Sequence, residues 1–218
     1  MHRKLVAAIS LVALGALAGA ATVSLAAPDF VLRGGRFRPL SYEELTPAQK
    51  ALADREIASG RQSFDGPINI YLRSPEMANA SRPLGQYLRF KAPMQQKLKE
   101  IAILLTARFW GGQYVWYSHR QYAIEAGLSP AFIDAMAKGQ RPPGMSADEA
   151  AVFEFCSELL ATRQVSDGIY HTFVDRFGER AVVELIGLMG QYHTTSALFA
   201  VDRYPLPNGA KEEIEKPM

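Results

Sequence analysis

Proline directly after a small residue recurs along this chain, each time ahead of a run with helical spacing: Thr46-Pro47, Ser74-Pro75, Ala92-Pro93 and Ser129-Pro130. Proline's fixed φ and missing N–H suit the first turn of a helix, and a Ser or Thr before it can cap that end. Thr46-Pro47 opens a helix that ends near Gly60. Ser74-Pro75 opens one that reaches about Arg89, with Pro83 as a point of kinking or division. From Ala92-Pro93 a helix carries Met94, Leu98, Ile101, Leu104 and Leu105 at the three-to-four spacing of a buried stripe. After Gly111-Gly112 another runs to Leu128. Ser129-Pro130 begins a short one to Lys138, stopped by Gly139 and Pro142-Pro143. Ser146 with Glu149 forms a capping box before an apolar helix through Leu160. Ser166 to Phe177 gives the next, closed by Gly178, and a long helix from about Glu179 to Ala200 follows. β-Strand patterns are almost absent, so the fold class is all-α.

The first residues do not belong to this pattern. Met1-His2-Arg3-Lys4 precedes an uncharged, Ala- and Leu-rich run to Pro28, the layout of a secretory signal peptide, and Ser24-Leu25-Ala26 fits its cleavage rule. Residues 1–26 are therefore expected to be a signal peptide cut near Ala26, giving a periplasmic or secreted protein. The competing reading is an uncleaved membrane anchor, since the run is just long enough to span a bilayer. Cleavage removes Arg3 and Lys4, taking Lys+Arg from 24 to 22 against 22 Asp+Glu. A neutral mature chain gives no support for a nucleic-acid partner. Residues 27–45, with Gly34-Gly35 and Pro39, read as an irregular N-terminal arm; 46–208 form one helical domain; 209–218 read as a charged, frayed tail. Cys156 is the only cysteine, so no internal disulfide forms. It shares the apolar side of its helix with Phe153, Leu159 and Leu160, where a thiol behaves as a small hydrophobe. A peroxide-responsive role for Cys156 would require it to be reachable.

Lys97–Gly127, KLKEIAILLTARFWGGQYVWYSHRQYAIEAG, sets Glu100 on one helix and His119 on the next, across the Gly-Gly break. A carboxylate and an imidazole brought together can form a proton-transfer pair near neutral pH. This stretch resembles the carboxymuconolactone decarboxylase family, which includes the alkyl hydroperoxidase D type. In the redox branch a Glu is followed by a C-x-x-C-x-x-x-H run. Here Gly112-Gln113-Tyr114-Val115 leads to His119, with both cysteine positions filled by residues without redox chemistry. Cysteine-free members carry Gln-Tyr-Glu-Trp-x-x-His where this chain has Gln113-Tyr114-Val115-Trp116-Tyr117-Ser118-His119. The downstream VVELIGLMGQYHTTSALFAVDRYPLP also looks like the second half of such members.

The resemblance implies an AhpD-like, carboxymuconolactone decarboxylase-like helical bundle, assembled as a homo-oligomer. It also implies a cofactor-independent lyase or isomerase acting on a small carboxylated lactone or keto acid. Peroxidase chemistry of the family type needs a second thiol and is excluded. Decarboxylation needs a donor for the substrate carboxylate, donors for enolate charge and an acid for carbon. His119 is the expected acid/base and Glu100 its orienting partner. Arg108 is expected to clamp the carboxylate, Tyr114 and Trp116 to wall the pocket, and His193 to reach it from the last helix. Each has a plainer role: Glu100 as a first-turn helix residue, His119 as a satisfied interior histidine, Arg108 as an interface residue, His193 at a helix contact, and at least one of Tyr114, Trp116 and Tyr117, which cannot all face one way, packed in the core. His171 reads as a surface residue. No metal-ligand spacing and no phosphate loop is evident, so neither a metal nor a nucleotide cofactor is expected. The alternative to an enzyme is a binding or scaffold protein that keeps the fold.

Overall fold

The computed structural model describes residues 34–61, 63–207 and 209–214. The signal peptide expected at 1–26, the start of the arm at 27–33 and the tail's end at 215–218 lie outside the described residues. Among the described residues all regular structure is helical. The elements are α1 (Pro47–Ala58), α2 (Pro67–Tyr71), α3 (Pro75–Gln86), a π-helical turn (Tyr87–Lys91), α4 (Gln96–Phe109), α5 (Gln113–Glu125), α6 (Pro130–Ala137), α7 (Ala147–Thr162) and α8 (Asp167–Asp202). The all-α expectation holds. The short α2, begun by Pro67, was not anticipated from the sequence.

The helix starts show which sequence signals carry physical weight. Thr46 with Gln49 and Ser146 with Glu149 form complete capping boxes, and Ser129 accepts from the Phe132 N–H. Ser74 makes no side-chain cap, so Pro75 starts α3 without it. α4 begins at Gln96 rather than after Ala92-Pro93. The residue before a proline is driven into extended backbone, and Ala92 sits there at φ −59°, ψ 138°. A helix cannot pass through it.

Upstream, Pro83 lies inside α3, and the chain widens into the π turn, closed by the Ala92 N–H on Tyr87 O at 2.8 Å. Lys99, buried on α4, ties this turn down by donating from Nζ to Arg89 O at 3.0 Å and Ala92 O at 2.8 Å. Gly178 adopts φ 77°, ψ 164°, which breaks α8 where the sequence placed the end of one helix and the start of the next.

Every residue of α4 from Leu98 to Ala107 is buried, and α5, α7 and α8 pack around it. Burying a side chain such as Ile101, Ile103 or Leu104 is worth about 1.5–3 kcal/mol. Gly111 takes φ +61°, and a Cβ on Gly112 would lie 3.1 Å from Ser196 Oγ, so the α4–α5 link is tight against α8. A smaller cluster of Leu45, Leu52, Ala53, Phe64, Leu72 and Ala78 joins α1, α2 and α3.

The described part of the arm is docked by its backbone. Gly35 N–H donates to Asp202 O at 3.0 Å, while the Arg36 and Phe37 N–H groups donate to Asp202 Oδ1 at 3.1 and 2.6 Å. Asp202 is fully buried. Asp202→Ala should therefore lower the unfolding free energy by about 2 kcal/mol, measured by urea denaturation, because two N–H groups lose their side-chain acceptor. The tail is not frayed throughout. Ile214 is buried in the main core, and Gln113 Nε2 donates to its carbonyl at 2.5 Å, since α5 offers Ile214 an apolar seat and its backbone a partner.

Candidate active site

A buried carboxylate on a fully packed helix needs a partner, because an isolated charge in the interior is strongly unfavourable. Glu100 finds two. His119 Nδ1 lies 2.7 Å from its Oε2, and Gln96 Nε2 donates to Oε1 at 2.6 Å. The two helices flanking the Gly-Gly link thus bring Glu100 and His119 together. Burial holds the His119 pKa below its ordinary value; the Glu100 carboxylate opposes this, and the nearby Arg89 cation reinforces it. The resting imidazole is then neutral. With its Nδ1–H donated to Glu100, the lone pair is on Nε2.

His119 lines a cavity of about 460 Å³ between the small cluster and the α5–α8 side of the main core. Val115, Ser118, His119 and Tyr122, spaced three and four apart, form the α5 wall. α8 contributes Tyr192, whose ring meets His119 edge-on at 4.8 Å between centroids. Among the described residues its hydroxyl has no hydrogen-bond partner, and burial pushes its pKa up, so it remains an O–H donor. Arg89, on the π turn, also lines the cavity, stacked at 4.8 Å on Phe90 and 5.3 Å on Tyr122. At the α1–α3 end, the buried Glu56 carboxylate is shared by Arg61, at 3.0 Å, and Arg82.

The other expected residues are dispersed. Tyr114 lines the cavity, packed against Phe199 and Tyr204. Trp116 does not: it is buried in the core, and its Nε1 donates to Glu213 Oε2 at 3.1 Å. Arg108 points to the end of α6, donating from Nε to Ala137 O at 3.2 Å. His193 is exposed and accepts at Nδ1 from Trp110 Nε1 at 2.9 Å. Arg89 and Tyr192 occupy the places that Arg108 and His193 were expected to take. For Tyr192 a signal existed, because Leu185, Leu188, Met189, Tyr192 and Phe199 make a helical stripe that excludes His193. Cys156 is fully buried and burial pushes its thiol pKa up, so it presents no thiolate. Among the described residues no three His, Cys, Asp or Glu side chains gather as metal ligands would.

The architecture is similar to a solved structure from Agrobacterium tumefaciens, described as a protein of unknown function with a suggested identity as the antioxidant defence protein AhpD. The TM-score is 0.56 at 20% sequence identity, covering 66% of this chain and 100% of that one. The likeness shows the AhpD-like fold that the sequence motif implied. No family model matches the sequence, and neither does any curated protein.

Proposed function

We propose that this cavity carries out cofactor-independent proton transfer at carbon on a small carboxylated lactone or keto acid, as a decarboxylase or an isomerase. The observation that carries the reading is the buried Glu100–His119 pair, 2.7 Å apart, set in the wall of a cavity large enough for such a molecule. In an isomerisation, His119 Nε2 takes a proton from the carbon beside a carbonyl. The C–H electron pair moves into an enolate that accepts from the Tyr192 O–H, and the imidazolium returns the proton to a different carbon. In a decarboxylation the C–C pair forms the same enolate as CO2 leaves. The proton that replaces CO2 on carbon then comes from the His119 imidazolium, recharged from solvent. The leader expected over residues 1–26 would place this chemistry outside the cytoplasm.

The test is incubation of the protein in D2O with a panel of lactone and β-keto carboxylates, following CO2 release and deuterium entry at carbon. Either signal above the uncatalysed rate is expected for at least one compound. Neither signal, from folded protein that binds the same compounds, would establish the binding-protein alternative.

A further inference from the structure

The charges around the cavity are unevenly matched. Among the described residues Arg61 and Arg82 share Glu56, while Arg89 pairs with no carboxylate. Its Nε is buried and has no hydrogen-bond partner. A partly buried guanidinium without a carboxylate partner is unfavourable, and an anion on the side of it that lines the cavity offsets this. The guanidinium lies over the faces of Phe90 and Tyr122, and Lys99 fixes the carbonyl of Arg89 itself.

This cation stands one ring from His119, because Tyr122, on which Arg89 stacks, also meets the His119 ring at 5.5 Å. The titratable and charged groups facing His119 are Glu100 from α4, Tyr122 from α5, Tyr192 from α8 and Arg89 from the π turn. Glu100 favours the imidazolium; Arg89 opposes it. A carboxylate on Arg89 would cancel that opposition and add a negative charge near the imidazole.

We infer that the Arg89 guanidinium is the seat of a carboxylate ligand in this cavity, and that filling it makes His119 take up a proton. The substrate thereby raises the basicity of the residue that acts on it. This deepens the proton-transfer reading and rests on it only for the claim that the seated carboxylate is the substrate's. Binding and linkage stand independently of turnover.

The probes are benzoate and its uncharged analogue benzamide, added to the full chain. His119 is followed by NMR titration, its resonance identified by loss in His119→Gln, and proton uptake is measured by calorimetry in two buffers. Benzoate should bind with net proton uptake and move the His119 titration to higher pH; benzamide should bind more weakly without uptake. Arg89→Met should weaken benzoate by about 10- to 100-fold and raise the His119 titration of the free protein. Arg89→Lys keeps the charge and loses the fork, so it should hold the low titration while weakening benzoate. Failure of folded wild type to bind benzoate, equal affinity in wild type and Arg89→Met, or binding that leaves the His119 titration in place would each overturn the inference. Proton uptake with benzoate but no turnover of any panel compound keeps the Arg89 site and removes the reaction. Turnover indifferent to Arg89→Met keeps the reaction and overturns the claim that the carboxylate seated on Arg89 is the substrate's.

Discussion

His119→Gln is expected to slow turnover of whatever panel compound reacts by about 10²–10⁴-fold, the usual contribution of a positioned acid/base. Glutamine is the informative replacement because its amide can still donate to Glu100, whereas alanine would leave Glu100 Oε2 unpaired in the core. The wild-type pH profile provides the second signature. Burial holds His119 below its ordinary value, so the free protein should keep its base form across the neutral range. For an isomerisation, in which His119 acts first as the base, kcat/KM should fall on acidification below about pH 6.5, and that acid limb should vanish in His119→Gln. Stability carries the same sign. Between the folded value and about pH 6.5 the unfolded chain binds the proton that the buried imidazole refuses, so stability is full above this window and declines as pH falls through it. Urea denaturation at pH 7.5 and in the acid range, in both proteins, would read that slope. A His119→Gln enzyme within tenfold of wild type would mean that the histidine is structural.

The pair at the centre of this prediction was legible because each member lies on a long, regular helix and the Gly-Gly link leaves those helices little choice but to pack side by side. The rest of the site was hidden for physical reasons. Arg89 owes its direction to the π turn, whose wider winding rotates every following side chain relative to an α-helix. Pro83 signals a disturbance there but not its form. Lys99 then fixes the turn from a helix that the sequence alone does not bring near it. Tyr192 and His193 are neighbours about 100° apart on α8, and the apolar stripe runs on the Tyr192 side, so weighting apolar periodicity over imidazole chemistry would have chosen Tyr192. Arg108 and Trp116 were expected in the pocket from their closeness to the motif in sequence. Adjacent residues on a helix, however, face different neighbours: α6 in one case, the core and the chain's end in the other.

Trp116→Ala is expected to destabilise the protein by about 3–5 kcal/mol, among the largest costs of any single substitution here. The indole is 1% exposed, deep in the main cluster, where close-packed neighbours refill a vacated space only in part. For a chain of this size the loss corresponds to a melting temperature lower by roughly 6–20 °C. Trp116→Phe separates the components. It keeps most of the volume but deletes the Nε1 hydrogen bond to Glu213, a residue that also pairs with Arg120 at 2.9 Å, so its cost should be about 1 kcal/mol. The smaller change should also loosen the chain's end, because Glu213 and Ile214 are what the indole and Gln113 hold against α5. Faster proteolysis near residues 211–214 in Trp116→Phe would report it. The expectation of a pocket wall predicts the opposite pattern, weakened ligand binding with stability intact. A Phe variant that melts like wild type yet binds benzoate poorly would return Trp116 to the cavity and argue against the core position. Unchanged benzoate affinity with a lowered melting point is the expected result, since Val115 and Tyr114, not Trp116, line the cavity on that turn of α5.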